Sequence, residues 1–158
     1  MASSSTKKMI ILKSLEGDAI EVEEMFIDQC KKIKHFIDGK FINTITISLK
    51  ISTQILSKII QYVKKHDEYG VAGSEANKKI LEAWDANFMK VDMDTLYDIL
   101  TAASNLGNEK LLDLACKTVA EKIKGKNPDQ IRQTFNIKND FTPQEEEENQ
   151  KMYSCFFN

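Results

Sequence analysis

Only two prolines occur in this chain of 158 residues. Each follows a side chain that can cap a helix: Pro128 comes after Asn127, and Pro143 after Thr142. Asn and Thr accept hydrogen bonds from the free N–H groups of a first turn. Proline suits the next position because its missing N–H would be unpaired there. Thr142 and Glu145 also have the spacing of a capping box. Gly125 closes a preceding helical run that ends in lysines. The segment 111–148 is therefore held to short, firmly bounded helices. Two of them are joined by an apolar–polar alternation from Phe135 to Phe141. The segment carries no triad, metal cluster or phosphate loop, and spaced apolar residues on short helices suit a docking surface better than a reaction centre.

The preceding residues read as the platform behind that segment. Residues 9–13 are apolar, Glu16-Gly17-Asp18 signals a turn, and residues 19–23 alternate apolar and acidic side chains, so the spacing predicts a β-hairpin. Residues 25–37 read as one helix closed by Asp38-Gly39, and residues 45–49 as a half-buried strand. Ser52 or Thr53 caps a further helix carrying the stripe Ile55, Leu56, Ile59, Ile60 and Val63. Gly70, Gly73, Ser74 and Asn77 mark a mobile loop at about 66–79. Leu81, Trp84, Phe88 and Met89 follow at helical spacing. Asp94 caps a helix with Leu96, Ile99, Leu100, Ala103 and Leu106 on one face, ended by Gly107. A helix over 109–124 presents Leu112, Ala115, Cys116, Val119 and Ile123. A small β component followed by many helices is an α+β arrangement.

Charge narrows the function. The net charge is −2 and the sequence pI about 5.8, which provides no basic surface for nucleic acid. No apolar run approaches the ~20 residues needed to cross a bilayer. The N-terminal eight residues lack the apolar stretch of a secretory signal. The three cysteines, Cys30, Cys116 and Cys155, are odd in number and form no C-x-x-C pair, so reduced thiols are expected. The nucleus and cytoplasm are the expected location. His35 and His66 lie in no nucleophile motif. Asp92-Met93-Asp94 lacks the further oxygen ligands and the glycine of a calcium loop, and Gly70-x-x-Gly73 is not a nucleotide fingerprint. No catalytic residue, metal or cofactor is expected, and what remains is interaction chemistry. The helical faces can close on one another or bury a partner.

At this point a resemblance enters. Residues 122–126 with 135–148, Trp84 to Asp92 in a plant-type form, Leu111 to Leu114 and Cys116 to Ala120 resemble the S-phase kinase-associated (SKP) adaptor family, the linker subunits of SCF ubiquitin ligases. The likeness extends back through 10–22 and 45–63. It implies a BTB/POZ fold over 8–106 and a C-terminal helical extension over 107–158 that binds F-box motifs. It implies a non-catalytic adaptor for ubiquitin-dependent degradation, with an F-box protein and a cullin N-terminal domain as partners. By resemblance, the F-box surface draws on Leu100, Cys116, Val119, Ile123, Phe135, Ile137, Asn139, Phe141, Met152, Tyr153 and Phe156. The cullin surface includes Asn105 and Leu106. Two places depart from the family pattern. Leu106 stands where a tyrosine is usual, and the tail is about one helical turn short, with Lys151-Met152-Tyr153 in place of a tryptophan. The alternative is a diverged F-box-binding or self-associating protein with weak or no cullin binding.

Overall fold

The structure, a computed structural model, describes residues 9–39, 44–70 and 73–157, with the side chains of 155–157 outside that description. The hairpin forms as expected. β1 (Met9–Lys13) pairs antiparallel with β2 (Ala19–Val22), and β3 (Thr44–Ser48) lies parallel to β1 on its other side. The sheet order is β2-β1-β3. Register explains which residues are buried. Ile10 stands between Val22 and Ile45, and Leu12 between Ile20 and Ile47, so a period of two directs both rows to one face. Ile10 and Leu12 are almost wholly buried, whereas Glu21, Thr44, Thr46 and Ser48 are exposed.

Eight helices follow or interleave among the described residues: α1 (Glu24–Asp28), α2 (Lys31–Ile37), α3 (Thr53–Gly70), α4 (Glu75–Phe88), α5 (Met93–Leu106), α6 (Glu109–Ile123), α7 (Pro128–Phe135) and α8 (Pro143–Phe157). The apolar stripes of α3 and α5 supply much of the core: Ile55, Leu56, Ile59, Tyr62 and Val63 from the first, Leu96, Ile99, Ala102, Ala103 and Leu106 from the second.

Four local expectations change. The single helix expected over 25–37 is two, because Cys30 leaves the helical region at φ −115° and ψ 81°. Its thiol is fully buried, burial pushes it up to about 12, and the next N–H, of Lys31, donates to the Gly107 carbonyl at 3.2 Å. A tertiary bond has replaced a helical one. The expected loop at 66–79 is largely helical, since 66–70 complete α3 and 75–79 begin α4 after a Ser74 cap, with Val71 and Ala72 outside the described residues. Packing extends α3. His66 Nε2 lies 2.7 Å from Asp85 Oδ1, and the Tyr62 ring meets those of His66, Trp84 and Phe88 at 4.1, 6.2 and 5.7 Å. Burial, then the negative charge of Asp85, pushes the Tyr62 phenol upward. The cap of α5 is Asp92 rather than Asp94, and its carboxylate accepts from the Thr95 N–H at 3.2 Å. Finally, the stripe of α3 buries Tyr62, which the pattern omitted, and leaves Ile60 half-buried.

The chain divides into two compact units, one ending at Glu121 and the other beginning at Lys122. The first continues past Leu106 because Leu111 and Ala115 of α6 are fully buried in its core. Asn108 caps α6 through Oδ1, which accepts from the Leu111 N–H at 3.1 Å.

Carboxylates gather where α3 begins. Glu16 Oε2 accepts from the Thr53 N–H at 2.8 Å, and Thr53 Oγ1 lies 3.0 Å from Glu16 Oε2 and 2.7 Å from Asp18 Oδ2. The Thr53 backbone N–H holds the Glu16 carboxyl below its ordinary value of 4.5. A carboxyl with a depressed folded-state value stabilises above its unfolded value, and that contribution is lost as pH falls. Stability associated with Glu16 is therefore present above 4.5 and lost as pH drops through and below it. Thermal unfolding of Glu16→Gln should start lower than wild type at neutral pH, and the gap should close in acid. A gap that stays constant down to pH ~3 contradicts the linkage.

Candidate partner-docking site

The expected site residues fall in both units. In the first, α6 turns Leu111 and Ala115 into the core. The neighbouring stripe at i, i+4 and i+7, Leu112, Cys116 and Val119, is only partly covered, with Cys116 exposed. Leu100 of α5 is half-buried and packs on the same core. Asn105 is exposed and lines an open cleft of about 210 Å³ with Leu15, Ile51, Ile55, Asp98 and Thr101. Leu15 is 67% exposed at its rim. Leu106 is the exception. It has no exposed surface, so its aliphatic side chain is a core residue and cannot itself touch a partner in this conformation. The reason is helical phase: Leu106 follows Ala102 and Ala103 along the buried stripe of α5, and Asn105 follows Thr101 along the outer face.

In the second unit the caps inferred from the prolines are present. Asn127 and Gln130 form a full capping box on α7. On α8, the Glu145 N–H donates to Thr142 Oγ1 at 3.2 Å and the Thr142 N–H to Glu145 Oε2 at 3.1 Å. Asn136 ends α7 in the left-handed region at φ 52°, and the Ile137 N–H donates to the Arg132 carbonyl at 2.8 Å. That sharp stop directs the 137–142 connection outward. Ile137 is 57% and Phe141 47% exposed, while Phe135 and Ile123 are half-buried. Met152 and Tyr153 on α8 are exposed as well. The Phe156 side chain lies outside those described.

Asn139 holds its own loop: Oδ1 accepts from the Phe141 N–H at 3.1 Å and Nδ2 donates to Glu146 Oε2 at 3.4 Å. The glutamate run is thereby put to several uses. Glu145 caps, Glu146 meets Asn139 and Arg132, Glu147 pairs with Lys151 at 3.0 Å, and Glu148 accepts from Gln144.

Two protein-family models match the chain: the Skp1 family tetramerisation domain over residues 8–68 and the Skp1 family dimerisation domain over 109–155. Among curated relatives, SKP1-like protein 20 of Oryza sativa subsp. japonica is 45% identical, with 93% of this chain and 93% of that protein aligned. The chain belongs to the Skp1 family. SKP1-like protein 1A of Arabidopsis thaliana is 44% identical over 89% of this chain and 92% of its own, and SKP1-like protein 3 of the same plant is 44% identical over 92% and 93%. Skp1-family proteins are non-catalytic adaptors with a POZ domain, and this chain is one of them, with plant relatives over most of its length.

Among the described residues no cluster of three or more His, Cys, Asp or Glu side chains could hold a metal, and no helix is long and apolar enough to cross a membrane. The His66–Asp85 pair is enclosed by the Tyr62 ring, and each side chain is under one-fifth exposed, so it joins α3 to α4. Sequence reasoning missed that pair because nineteen residues separate its members. It also missed Arg132. The i, i+3 spacing from Asp129 was a signal for one of its contacts, but the contacts to Glu146 and Phe141 cross a loop.

Proposed function

We propose that this Skp1-family chain is the adaptor of an SCF (cullin-RING) ubiquitin ligase, holding an F-box substrate receptor on one surface and a cullin N-terminal domain on another. The observation that carries the reading is the set of exposed apolar side chains set out by capped helices: Ile137, Phe141, Met152 and Tyr153. Within the first unit, the stripe of Leu112, Cys116 and Val119 is a further partly covered apolar strip. The cleft beside Asn105 is the surface assigned to the cullin. Ubiquitin transfer is then the work of other subunits, and the adaptor's part is to hold a substrate receptor at a fixed place in the complex. Operation in the nucleus and cytoplasm belongs to the same reading, and a fluorescent fusion confined to the secretory pathway contradicts it.

Burial of Leu106 favours a second reading, in which F-box binding is retained and cullin docking is weakened. Aromatic rings are frequent interface anchors, and in place of the family's usual tyrosine this chain has an aliphatic side chain with no exposed surface. Co-expression with one F-box protein and one cullin N-terminal domain, resolved by size exclusion, separates the two. A ternary complex is expected for the adaptor. A binary complex with the F-box protein alone supports the second reading, and no complex with either removes both.

A further inference from the structure

Arg132 is the most enclosed cation of the second unit for which an ion pair is seen, with its side chain only 17% exposed. Three groups converge on it from different parts of the chain. Its Nη1 lies 2.7 Å from Asp129 Oδ1 in the first turn of α7. Its Nη2 lies 3.7 Å from Glu146 Oε2 in the first turn of α8. Its guanidinium carbon stands 5.5 Å from the centre of the Phe141 ring. The Arg132 carbonyl also accepts from the Ile137 N–H. A planar guanidinium can form such in-plane carboxylate contacts while its face meets a ring, a combination lysine cannot reproduce.

We propose that Arg132 is a positioning residue for the F-box surface, acting through Phe141 rather than by contact with the partner. This rests on the docking reading above. Phe141 is nearly half exposed, and an exposed ring on a short connection is ordinarily free to change rotamer. Arg132 restricts it from one side, while Asn139, held in turn by Glu146, fixes its backbone N–H. The Phe141 ring, one of the apolar groups offered to a partner, is thus ordered before it arrives. Ordering in advance lowers the entropy lost on docking, and the gain appears in affinity rather than as a new contact. Isolated surface ion pairs contribute little. Arg132 differs because it is mostly enclosed and joins α7, α8 and the connection at once.

The test uses the full chain and a purified F-box domain, with Arg132→Ala, Phe141→Ala and the double variant. Each single variant should weaken binding about tenfold, and the double variant should be nearly as strong as Phe141→Ala alone, because the arginine acts through the ring. Arg132→Lys should fall between wild type and Arg132→Ala. In the free chain, Arg132→Ala should speed amide exchange at Phe141 and Thr142 about tenfold without changing exchange in α3 or α5. Additive losses, unchanged binding by Arg132→Ala, or unchanged exchange at Phe141 and Thr142 overturns the proposal. If the F-box domain fails to bind wild type, the docking reading falls. The exchange measurement then decides alone: acceleration retains Arg132 as the group that orders the connection, and its absence removes that role.

Discussion

Gly107→Ala is expected to destabilise the first unit by about 3 kcal/mol, combining the left-handed backbone penalty with a steric one. Gly107 has φ +77°, and a Cβ there would stand 2.7 Å from the Lys32 backbone N and 2.9 Å from Lys32 Cγ. The long lysine side chain can move aside, but its backbone nitrogen can do so only by shifting α2. That shift strains the bond from the Lys31 N–H to the Gly107 carbonyl and the one from Lys32 Nζ to the Ser104 carbonyl. For a chain this long the unfolding midpoint should fall by about 10 °C. Gly17→Ala is the matched control in the same unit. Its φ is +91° and nothing lies within 4 Å of the added Cβ, so it bears only the backbone penalty of about 1–2 kcal/mol. Equal losses at the two positions, read by thermal or denaturant unfolding, contradict the close approach of α2 to the end of α5.

The second large effect concerns binding. Ile137→Asp should lower affinity for an F-box domain at least 100-fold while leaving the fold intact, because an apolar anchor becomes a charge that docking must strip of water. Ile137 is 57% exposed, so the folded chain loses little packing. Ile80→Asp, at another exposed isoleucine on α4, changes the charge equally and should leave binding within about twofold, as surface changes away from an interface do. Calorimetric titration of both variants checks this. Similar losses at the two positions would mean that net charge, not the 137–142 connection, governs the interaction.

The parts legible in the sequence were those controlled by near neighbours in the chain. Asn127, Thr142 and Gly107 announced helix ends, since a cap acts within three or four residues, and each acts as expected. The hairpin was readable from an apolar run, a turn signal and an alternating run. The break at Cys30 was not, because its cause is a carbonyl at Gly107. The helical character of 66–70 and 75–79 was hidden by Gly70 and Gly73; packing around Tyr62 and Asp85 outweighs the low propensity of Gly70 at the end of α3, while Gly73 lies outside both helices. At the candidate site, the apolar residues could be chosen by resemblance, and Ile137 and Phe141 among them are exposed. Leu106 shows the limit of that procedure. Its neighbour Asn105 faces out and it faces in, a difference of one helical step. The arginine that braces the connection was hidden because its partners are distributed over residues 129–146.

The sheet has a consequence for the chain before any partner arrives. Both strands flanking β1 are short: β2 has four residues and β3 has five, with Glu21, Thr44, Thr46 and Ser48 turned to solvent. Short edges with charged or hydroxyl side chains are poor templates for adding a foreign strand. A protein that keeps apolar side chains such as Ile137 and Phe141 on display elsewhere thereby limits one route to aggregation through its sheet.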